Sequence, residues 1–289
     1  MVKIWIEAMR LRTLPVSVAG VILAAAYAVL ADTFRLPEFL ACLSFAILCQ
    51  IASNFANEYF DFRAGLDRPG REGPRRGVTE GDISPRAMLV ATAVTLALAA
   101  VIGLTLVLRG GWWLIALGAL IFIGAMAYST GPYPLSRHGL GEVTVVFFFG
   151  IIPVNLTFYV MSLAWDVDVM LGSLALGLMG ANVLIVNNYR DREDDLAVGK
   201  HTLAVLLGLR PMGWLYLLNG FVAIALTVPL WALLPLWSWL IPAAYLVCHT
   251  ILYWRLTSRY GRSLNPLLGM TAMLMLAWSL GVLIVSLII

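Results

Sequence analysis

Long apolar stretches recur from one end of this 289-residue sequence to the other. A helix needs about 20 consecutive apolar residues to cross the ~30 Å hydrocarbon layer of a bilayer. Charged residues make up only 12% of the sequence, too few to cover a water-soluble globule. The sequence therefore predicts an all-α integral membrane protein, a single domain over residues 1–289. Its nine transmembrane helices are predicted at 13–31, 38–57, 86–108, 112–130, 141–162, 169–188, 212–232, 235–254 and 265–288.

Positive charge falls almost entirely on one side of these spans. Every Lys and Arg except Arg35 and Arg109 lies before the first span or in the loops that return to that same side. Because basic loops stay in the cytoplasm, we expect a cytoplasmic N-terminus, an outside C-terminus and a multi-pass protein of the cytoplasmic membrane. The first span is long enough for a full crossing, so a cleaved signal peptide is not expected.

Several classes of function have no support in the sequence. The net charge of +3 reflects the loop asymmetry and gives no indication of nucleic-acid binding. Cys42, Cys49 and Cys248 lie inside predicted spans without metal-ligand spacing, so we expect them to be reduced and buried. The lipid bilayer is an expected partner, and nothing indicates an obligate protein partner.

A stripe of polar residues follows the second predicted span. Gln50, Asn54, Asn57 and Asp61 are spaced four, three and four residues apart, which puts them on one helical face. Such residues are costly in contact with lipid and are expected to face the bundle interior or a wet cavity. For Gln50 and Asn54, hydrogen bonding between helices is an equally good explanation.

The sixth predicted span ends with a second polar stripe, in the sequence NNYRDREDD. Asn187, Asp191 and Asp195 are four residues apart and are expected on one helical face. The pattern Asn-x-Tyr-x-Asp occurs in both stripes, and their spans are four apart, so the two helices share one orientation. We therefore predict two parallel repeats around a central cavity, with both acidic motifs at the cytoplasmic surface. A secondary transporter more often has inverted repeats and a midplane site.

The mixture of acids and bases in these motifs is typical of a site for a metal–diphosphate complex. Carboxylate and amide oxygens suit Mg²⁺, which binds one or two carboxylates together with substrate phosphates. Arginines, dense in the segment NEYFDFRAGLDRPGREGPRRG, suit the remaining phosphate oxygens. The predicted substrate is an allylic diphosphate whose head lies at the cytoplasmic surface and whose hydrocarbon tail lies among the helices.

Aromatic and polar residues near the fourth span are candidates for the reacting end of this site. Tyr128 and Tyr133 are placed to stabilise an allylic cation, or to serve as interfacial tyrosines. His138 and Glu142 are candidates to position or deprotonate an acceptor, or to pair with each other.

The motifs resemble those of a known family. NEYFDFRAGLD and NNYRDREDD are similar to the two aspartate-rich motifs of the UbiA superfamily of intramembrane prenyltransferases. REGPRRGVTEGDISP, GPYPLSRHGLGE and NNYRDREDDLAVGKHTLAVLLG resemble its 1,4-dihydroxy-2-naphthoate polyprenyltransferase branch, which acts in menaquinone synthesis. The resemblance covers residues 8–285. It implies transfer of a polyprenyl group to the aromatic acceptor with loss of CO₂, giving demethylmenaquinone.

The resemblance also implies roles for individual residues. Mg²⁺ and the diphosphate would be bound by Asn57, Asp61, Asp67, Asp191 and Asp195. The expected catalytic residues are Asp61, Asp191, Tyr128 and Lys200. The expected substrate-binding residues are Asn54, Asn57, Arg71, Arg76, Tyr133, His138, Asn187, Arg190 and Lys200.

Three features of the motifs depart from the usual superfamily pattern. Glu58 replaces an Asp on a longer side chain, and the third acid of the first motif, Asp67, comes six residues after Asp61. In the second motif, Gly199 and Lys200 stand where other branches have an acid. The shifted third acid and the Gly-Lys pair both resemble the naphthoate branch more than the 4-hydroxybenzoate branch.

Two alternatives remain at the level of sequence. One is a prenyltransferase for another acceptor, such as homogentisate, 4-hydroxybenzoate or a glycerol lipid. The other is a metal-dependent carrier or lipid-binding membrane protein without chemistry. No residue of the sequence identifies the length of the prenyl tail.

Overall fold

The computed structural model describes residues 2–67 and 73–289, and within them the chain is helical, without strands. A π-helical turn, Val146–Ile151, joins the helix Gly141–Val145 to the helix Ile152–Ser162. The helices are α1 (Val2–Met9), α2 (Leu14–Leu30), α3 (Leu36–Arg63), α4 (Pro85–Gly110), α5 (Trp113–Ser129), α6 (Gly141–Val145), α7 (Ile152–Ser162), α8 (Val167–Arg190), α9 (Arg192–Ala197), α10 (Leu203–Leu207), α11 (Leu209–Leu226), α12 (Val228–Leu233), α13 (Leu240–Thr257) and α14 (Asn265–Ile288).

In the described part of the chain, eight helical segments are long and apolar enough to cross a membrane. They coincide with eight of the predicted spans, which confirms the all-α membrane class. The remaining predicted span, 112–130, coincides with α5, whose 17 residues extend only about 25 Å at ~1.5 Å per residue. The count of nine spans therefore stays a prediction.

Local sequence signals set where several of these helices begin. Pro15, Pro37 and Pro85 lie in the first turns of α2, α3 and α4, where proline's missing N–H costs no helical hydrogen bond. The Ser84 hydroxyl caps α4 by accepting a hydrogen bond from the amide of Ala87 at 3.2 Å. At the start of α8, the Asp166 carboxylate accepts from two backbone amides.

Two helices, α2 and α8, form the centre of the bundle. Helix α2 packs against α3, α7 and α14, while α8 packs against the π-helical turn, α11 and α14. Both are apolar around most of their circumference, as expected for helices surrounded by protein. Leu23 of α2, Leu176 of α8 and Trp278 of α14 are almost fully buried in the shared core. Because α8 is fixed on several sides, its C-terminal end is a rigid support for the second acidic motif.

Candidate active site

The first acidic motif lies at the C-terminal end of α3 and is bridged by a buried arginine. One carboxylate oxygen of Asp61 lies 4.0 Å from Nη2 of Arg76, and one of Asp67 lies 3.3 Å from its Nε. Arg76 is only 7% exposed, so its charge is little screened by solvent. Removing an ion from water is costly unless it is paired, so this arginine and the two acids stabilise one another.

Glu58 anchors the loop that carries Arg76. Its buried carboxylate accepts a hydrogen bond at 3.0 Å from the backbone amide of Val78, two residues after Arg76. Glu58 therefore anchors the returning chain to α3. Arg71, expected to bind substrate, lies outside the described residues.

The second acidic motif is built around a bidentate ion pair at the end of α8. The guanidinium of Arg190 donates to both carboxylate oxygens of Asp191, at 2.6 and 2.7 Å, and to the Asn187 side-chain oxygen at 2.8 Å. A further hydrogen bond of 3.0 Å reaches Asn265. Arg190 and Asp191 are 4% and 2% exposed. The Arg190–Asp191 ion pair therefore fixes the positions of the side chains in this motif relative to one another.

The prediction that one continuous helix carries the second motif is wrong in detail. Helix α8 ends at Arg190 and α9 begins at Arg192, with Asp191 between them. Backbone hydrogen bonds from Asp191 to Asn187 (3.0 Å) and from Asp195 to Asp191 (2.8 Å) nevertheless keep the helical spacing across the break. Asp195 remains one turn beyond Asp191, and one of its carboxylate oxygens lies 3.3 Å from the ammonium group of Lys200.

Residues of both acidic motifs meet Tyr128, at the end of α5, in the wall of one cavity. Asn57 of the first motif, Asn187 of the second motif and Tyr128 all line it. The predicted convergence of the two motifs is therefore supported by this shared lining.

This apolar cavity has a volume of about 540 Å³ and extends into the bundle. Along α3 its lining runs from Asn57 to Cys42, a distance of about 22 Å at ~1.5 Å per residue. The walls come from α2, α3, α4, α5, α7 and α8, and Tyr128 and Asn187 line its polar end. A charged head group and an attached hydrocarbon tail would thus meet complementary surroundings.

The polar residues of α3 fall into two groups: two make hydrogen bonds that join helices, and another lines the cavity near its charged end. Gln50 accepts from the Ser17 hydroxyl at 2.8 Å and donates to Asn54 at 3.1 Å. Asn54 in turn donates to the backbone oxygen of Met9 at 2.9 Å. Both side chains lie beside the cavity, but their hydrogen bonds join helices. Asn57 also lines the cavity, one turn closer to the charged end.

The loop after α5 separates two predicted tyrosines. Tyr128 lines the cavity, whereas Tyr133 is 56% exposed and stacks on the His138 ring at 3.7 Å between centroids. His138 contacts the backbone oxygen of Pro134 through Nδ1 at 2.8 Å. The pairing of His138 with Glu142, one of the alternatives from the sequence, is not found.

In the sequence, Arg10 is only one of the positive charges that indicate how the protein is oriented in the membrane. It adopts a left-handed backbone conformation (φ 51°) between α1 and the short turn before α2, and it lines the polar end of the cavity. Its position follows from the left-handed backbone conformation at residue 10, for which the sequence offers no glycine or proline signal.

The oxygen donors at this end are of the kind that binds Mg²⁺. Among the described residues, no three His, Cys, Asp or Glu side chains are grouped closely enough to hold a metal by themselves. Mg²⁺ commonly takes only one or two carboxylates and completes its shell with water and substrate phosphates. Two sets of carboxylates with amide neighbours fit that pattern.

Comparison with known sequences identifies relatives of nearly full length. A sequence profile described as "UbiA prenyltransferase family" matches residues 14–280. A Mycobacterium tuberculosis protein named 1,4-dihydroxy-2-naphthoate octaprenyltransferase is 36% identical over 280 residues, covering 96% of this chain and 94% of its own. A protein of the same name from Escherichia coli K12 is 36% identical over 245 residues, covering 82% and 79%.

Solved structures share the fold at much lower sequence identity. An apo UbiA homolog from Aeropyrum pernix K1 aligns with a TM-score of 0.71 at 17% identity, covering 92% of this chain and 97% of that one. A UbiA homolog from Archaeoglobus fulgidus bound to DMAPP and Mg²⁺ aligns with a TM-score of 0.65 at 16% identity, covering 98% and 99%. With the profile match across most of its length, the chain belongs to the UbiA prenyltransferase family.

Proposed function

We propose that the protein transfers a polyprenyl group from an allylic diphosphate to 1,4-dihydroxy-2-naphthoate, with loss of CO₂, in menaquinone synthesis. The observation that carries the proposal is a long apolar cavity whose polar end is lined by Tyr128 and by Asn57 and Asn187 of the two acidic motifs. The relatives named for this reaction, 36% identical over most of the chain, support the choice of acceptor.

The charged end would bind the diphosphate. Asp61 and Asp67 on one side and Asp191 and Asp195 on the other would hold Mg²⁺, with Asn57 beside them; when bound, the metal neutralises charge on the departing diphosphate. The basic partners of these acids already lie against them: Arg76 is 3.3 Å from Asp67, and Lys200 is 3.3 Å from Asp195. We expect them to exchange carboxylate contacts for phosphate oxygens when the donor binds.

The cavity would bind the prenyl tail and protect the reacting carbon. Its apolar lining is as compatible with a hydrocarbon tail as the surrounding lipid is, and the tail binds there by van der Waals packing. Exclusion of water also prevents hydrolysis of an allylic cation. Tyr128, between the tail and the charged end, presents an aromatic ring suited to stabilising that cation.

The proposed reaction balances without an external oxidant. The bond between the terminal prenyl carbon and the diphosphate oxygen breaks, and both electrons leave with the diphosphate. The ring carbon that carries the carboxylate in the electron-rich naphthoate forms the new C–C bond to the prenyl carbon. The carboxylate then leaves as CO₂ and returns its bonding pair to the ring, so the product is the reduced, quinol form of demethylmenaquinone.

The proposed setting is the cytoplasmic membrane, with one domain of nine spans in two parallel repeats and the site at the cytoplasmic face. The C-terminal ends of α3 and α8 carry the two acidic motifs, whose Asn57 and Asn187 line the same cavity, which supports the parallel arrangement. The excess of Lys and Arg on that side supports a cytoplasmic N-terminus.

Mass spectrometry of products would test the function. Purified protein receives Mg²⁺, an all-trans polyprenyl diphosphate and an equimolar mixture of 1,4-dihydroxy-2-naphthoate, 4-hydroxybenzoate and homogentisate. A demethylmenaquinone product that disappears with EDTA supports the proposal. Prenylation of another acceptor overturns the choice of acceptor, and no product from folded protein overturns the reaction.

A further inference from the structure

Glu142, in the first turn of α6, is a buried carboxylate with only one oxygen engaged by protein. It is 5% exposed, and its Oε1 accepts a hydrogen bond at 2.9 Å from the side-chain amide of Asn188. Its Oε2 is also buried and has no hydrogen-bond partner among the described protein groups. Leaving a buried acceptor unsatisfied is costly, and such groups in native proteins call for a specific explanation.

Glu142 lies beside the reacting end of the proposed site. A Cβ built on the preceding residue, Gly141, would come within 3.7 Å of the Tyr128 hydroxyl. Two residues later, Thr144 lines the cavity. Its hydrogen-bond partner Asn188 lies in the last turn of α8, next to Asn187 of the second acidic motif. Glu142 therefore lies close to both the tail cavity and the second acidic motif.

The chemistry of the two substrates decides which of them can use the second oxygen. A carboxylate accepts hydrogen bonds and donates none. An allylic diphosphate offers acceptor oxygens and hydrocarbon, but no hydrogen-bond donor. The dihydroxynaphthoate acceptor offers two hydroxyl donors on an aromatic ring.

We infer that Glu142 is an acceptor-binding residue whose Oε2 takes a hydrogen bond from a ring hydroxyl of the naphthoate. Asn188 holds Oε1 and so fixes the direction of the second oxygen. This hydrogen bond orients the naphthoate ring beside Tyr128. It also increases the electron density of the naphthoate ring, which favours attack by that ring on the prenyl carbon. This inference rests on the proposed function.

A structural role makes a different prediction from this one. If Glu142 served only as a negative charge beside the second acidic motif, its loss would alter diphosphate binding, measured as the KM for the donor. If it binds a hydroxyl, its loss alters the KM for the acceptor and the discrimination between acceptors that have and lack that hydroxyl.

Glu142→Gln is the informative variant. Glutamine keeps the shape and an oxygen for Asn188 but replaces the other oxygen with an NH₂ donor. Steady-state assays of wild type and variant would use 1,4-dihydroxy-2-naphthoate and two analogues, each lacking one hydroxyl. Glu38→Gln, a buried acid paired with Arg35 at the opposite end of α3, is the matched control.

We expect the variant's KM for the full acceptor to rise roughly tenfold or more, with little change for the prenyl diphosphate. The wild type should discriminate against one analogue by a similar factor, and the variant should lose that discrimination. Glu38→Gln should behave as wild type.

A raised donor KM, or analogue discrimination equal in wild type and variant, overturns the role of Glu142 while an active wild type leaves the proposed function standing. A wild type that prenylates none of these acceptors overturns the proposed function and this inference together.

Discussion

Gly150, in the π-helical turn, and Gly177, in α8, bring their backbones into direct contact. A Cβ atom added to Gly150 would lie 2.5 Å from the Cα atom of Gly177, so no other residue fits without moving a helix. Small residues allow such close approach between helices in membranes, where packing replaces the hydrophobic effect as the main source of association. This contact holds the segment that begins with Glu142 against the helix that ends with the second acidic motif.

Gly150→Ala is therefore expected to destabilise the protein. Overpacking of this kind costs about 1–3 kcal/mol of the free energy of unfolding, and here the clash is with backbone, which yields little. Thermal unfolding in detergent measures the effect. Gly269→Ala, in α14 with open space around the new Cβ, is the control and should be neutral. Equal melting temperatures for the two variants would contradict the contact.

Asp61→Asn is expected to abolish prenyl transfer while the protein stays folded. The substitution removes a carboxylate from the proposed Mg²⁺ and diphosphate site, but Arg76 retains Asp67 as a partner. Turnover and melting temperature should be measured on the same sample. Asp32→Asn, exposed at a left-handed position that asparagine tolerates, is the control. Activity of Asp61→Asn near that of wild type would refute the site.

Asp191→Asn is expected to lose stability as well as activity. The buried guanidinium of Arg190 would lose its bidentate partner, and breaking a buried pair on one side costs about 3–5 kcal/mol. A melting temperature clearly below that of Asp61→Asn is the expected result. Identical melting curves for the two variants would show that the Arg190–Asp191 pair contributes no net stability.

Lys200→Ala is expected to weaken binding of the prenyl diphosphate more than binding of the acceptor. The ammonium group lies 3.3 Å from Asp195 and faces the proposed diphosphate site. Losing one charge-assisted contact should raise the donor KM roughly tenfold. Lys3→Ala, near the N-terminus in exposed α1, is the control. A selective rise in the acceptor KM would contradict this assignment.

Gly118→Phe is expected to reduce turnover of long donors selectively. Gly118 lines the cavity on the same face of α5 as Leu114 and Phe122, and a Cβ built there meets nothing within 4 Å. A phenyl group would fill part of the tail cavity, so all-trans polyprenyl diphosphates should react at least about tenfold more slowly than with wild type.

Dimethylallyl diphosphate, which has no tail beyond one isoprene unit, should react at a similar rate in Gly118→Phe and wild type. Leu120→Phe, at a 45% exposed position on the same helix, is the control and should leave both rates unchanged. Equal slowing of short and long donors would mean that the tail does not pass Gly118.

The sequence by itself determined the class of fold and the position of both acidic motifs. A bilayer offers no partners to backbone N–H and C=O groups, so each long apolar stretch has to form a helix. Helical spacing then places Asn57 and Asp61 on one face at the end of α3, and the same argument applies at the end of α8. These inferences use residues within one helix, where local geometry is fixed.

Only the tertiary structure decided which side chains the site residues contact and which of the site residues line the cavity. Arg76 joins Asp61 to Asp67 across a loop, and Asn188 meets Glu142 from a helix 46 residues away in the chain. Tyr128 and Tyr133 look alike in sequence, yet one lines the cavity and the other is exposed. Such contacts depend on the angles and distances at which helices cross. Packing between residues far apart in the sequence, such as Gly150 and Gly177, sets this geometry, and the spacing of residues within a single helix does not predict it.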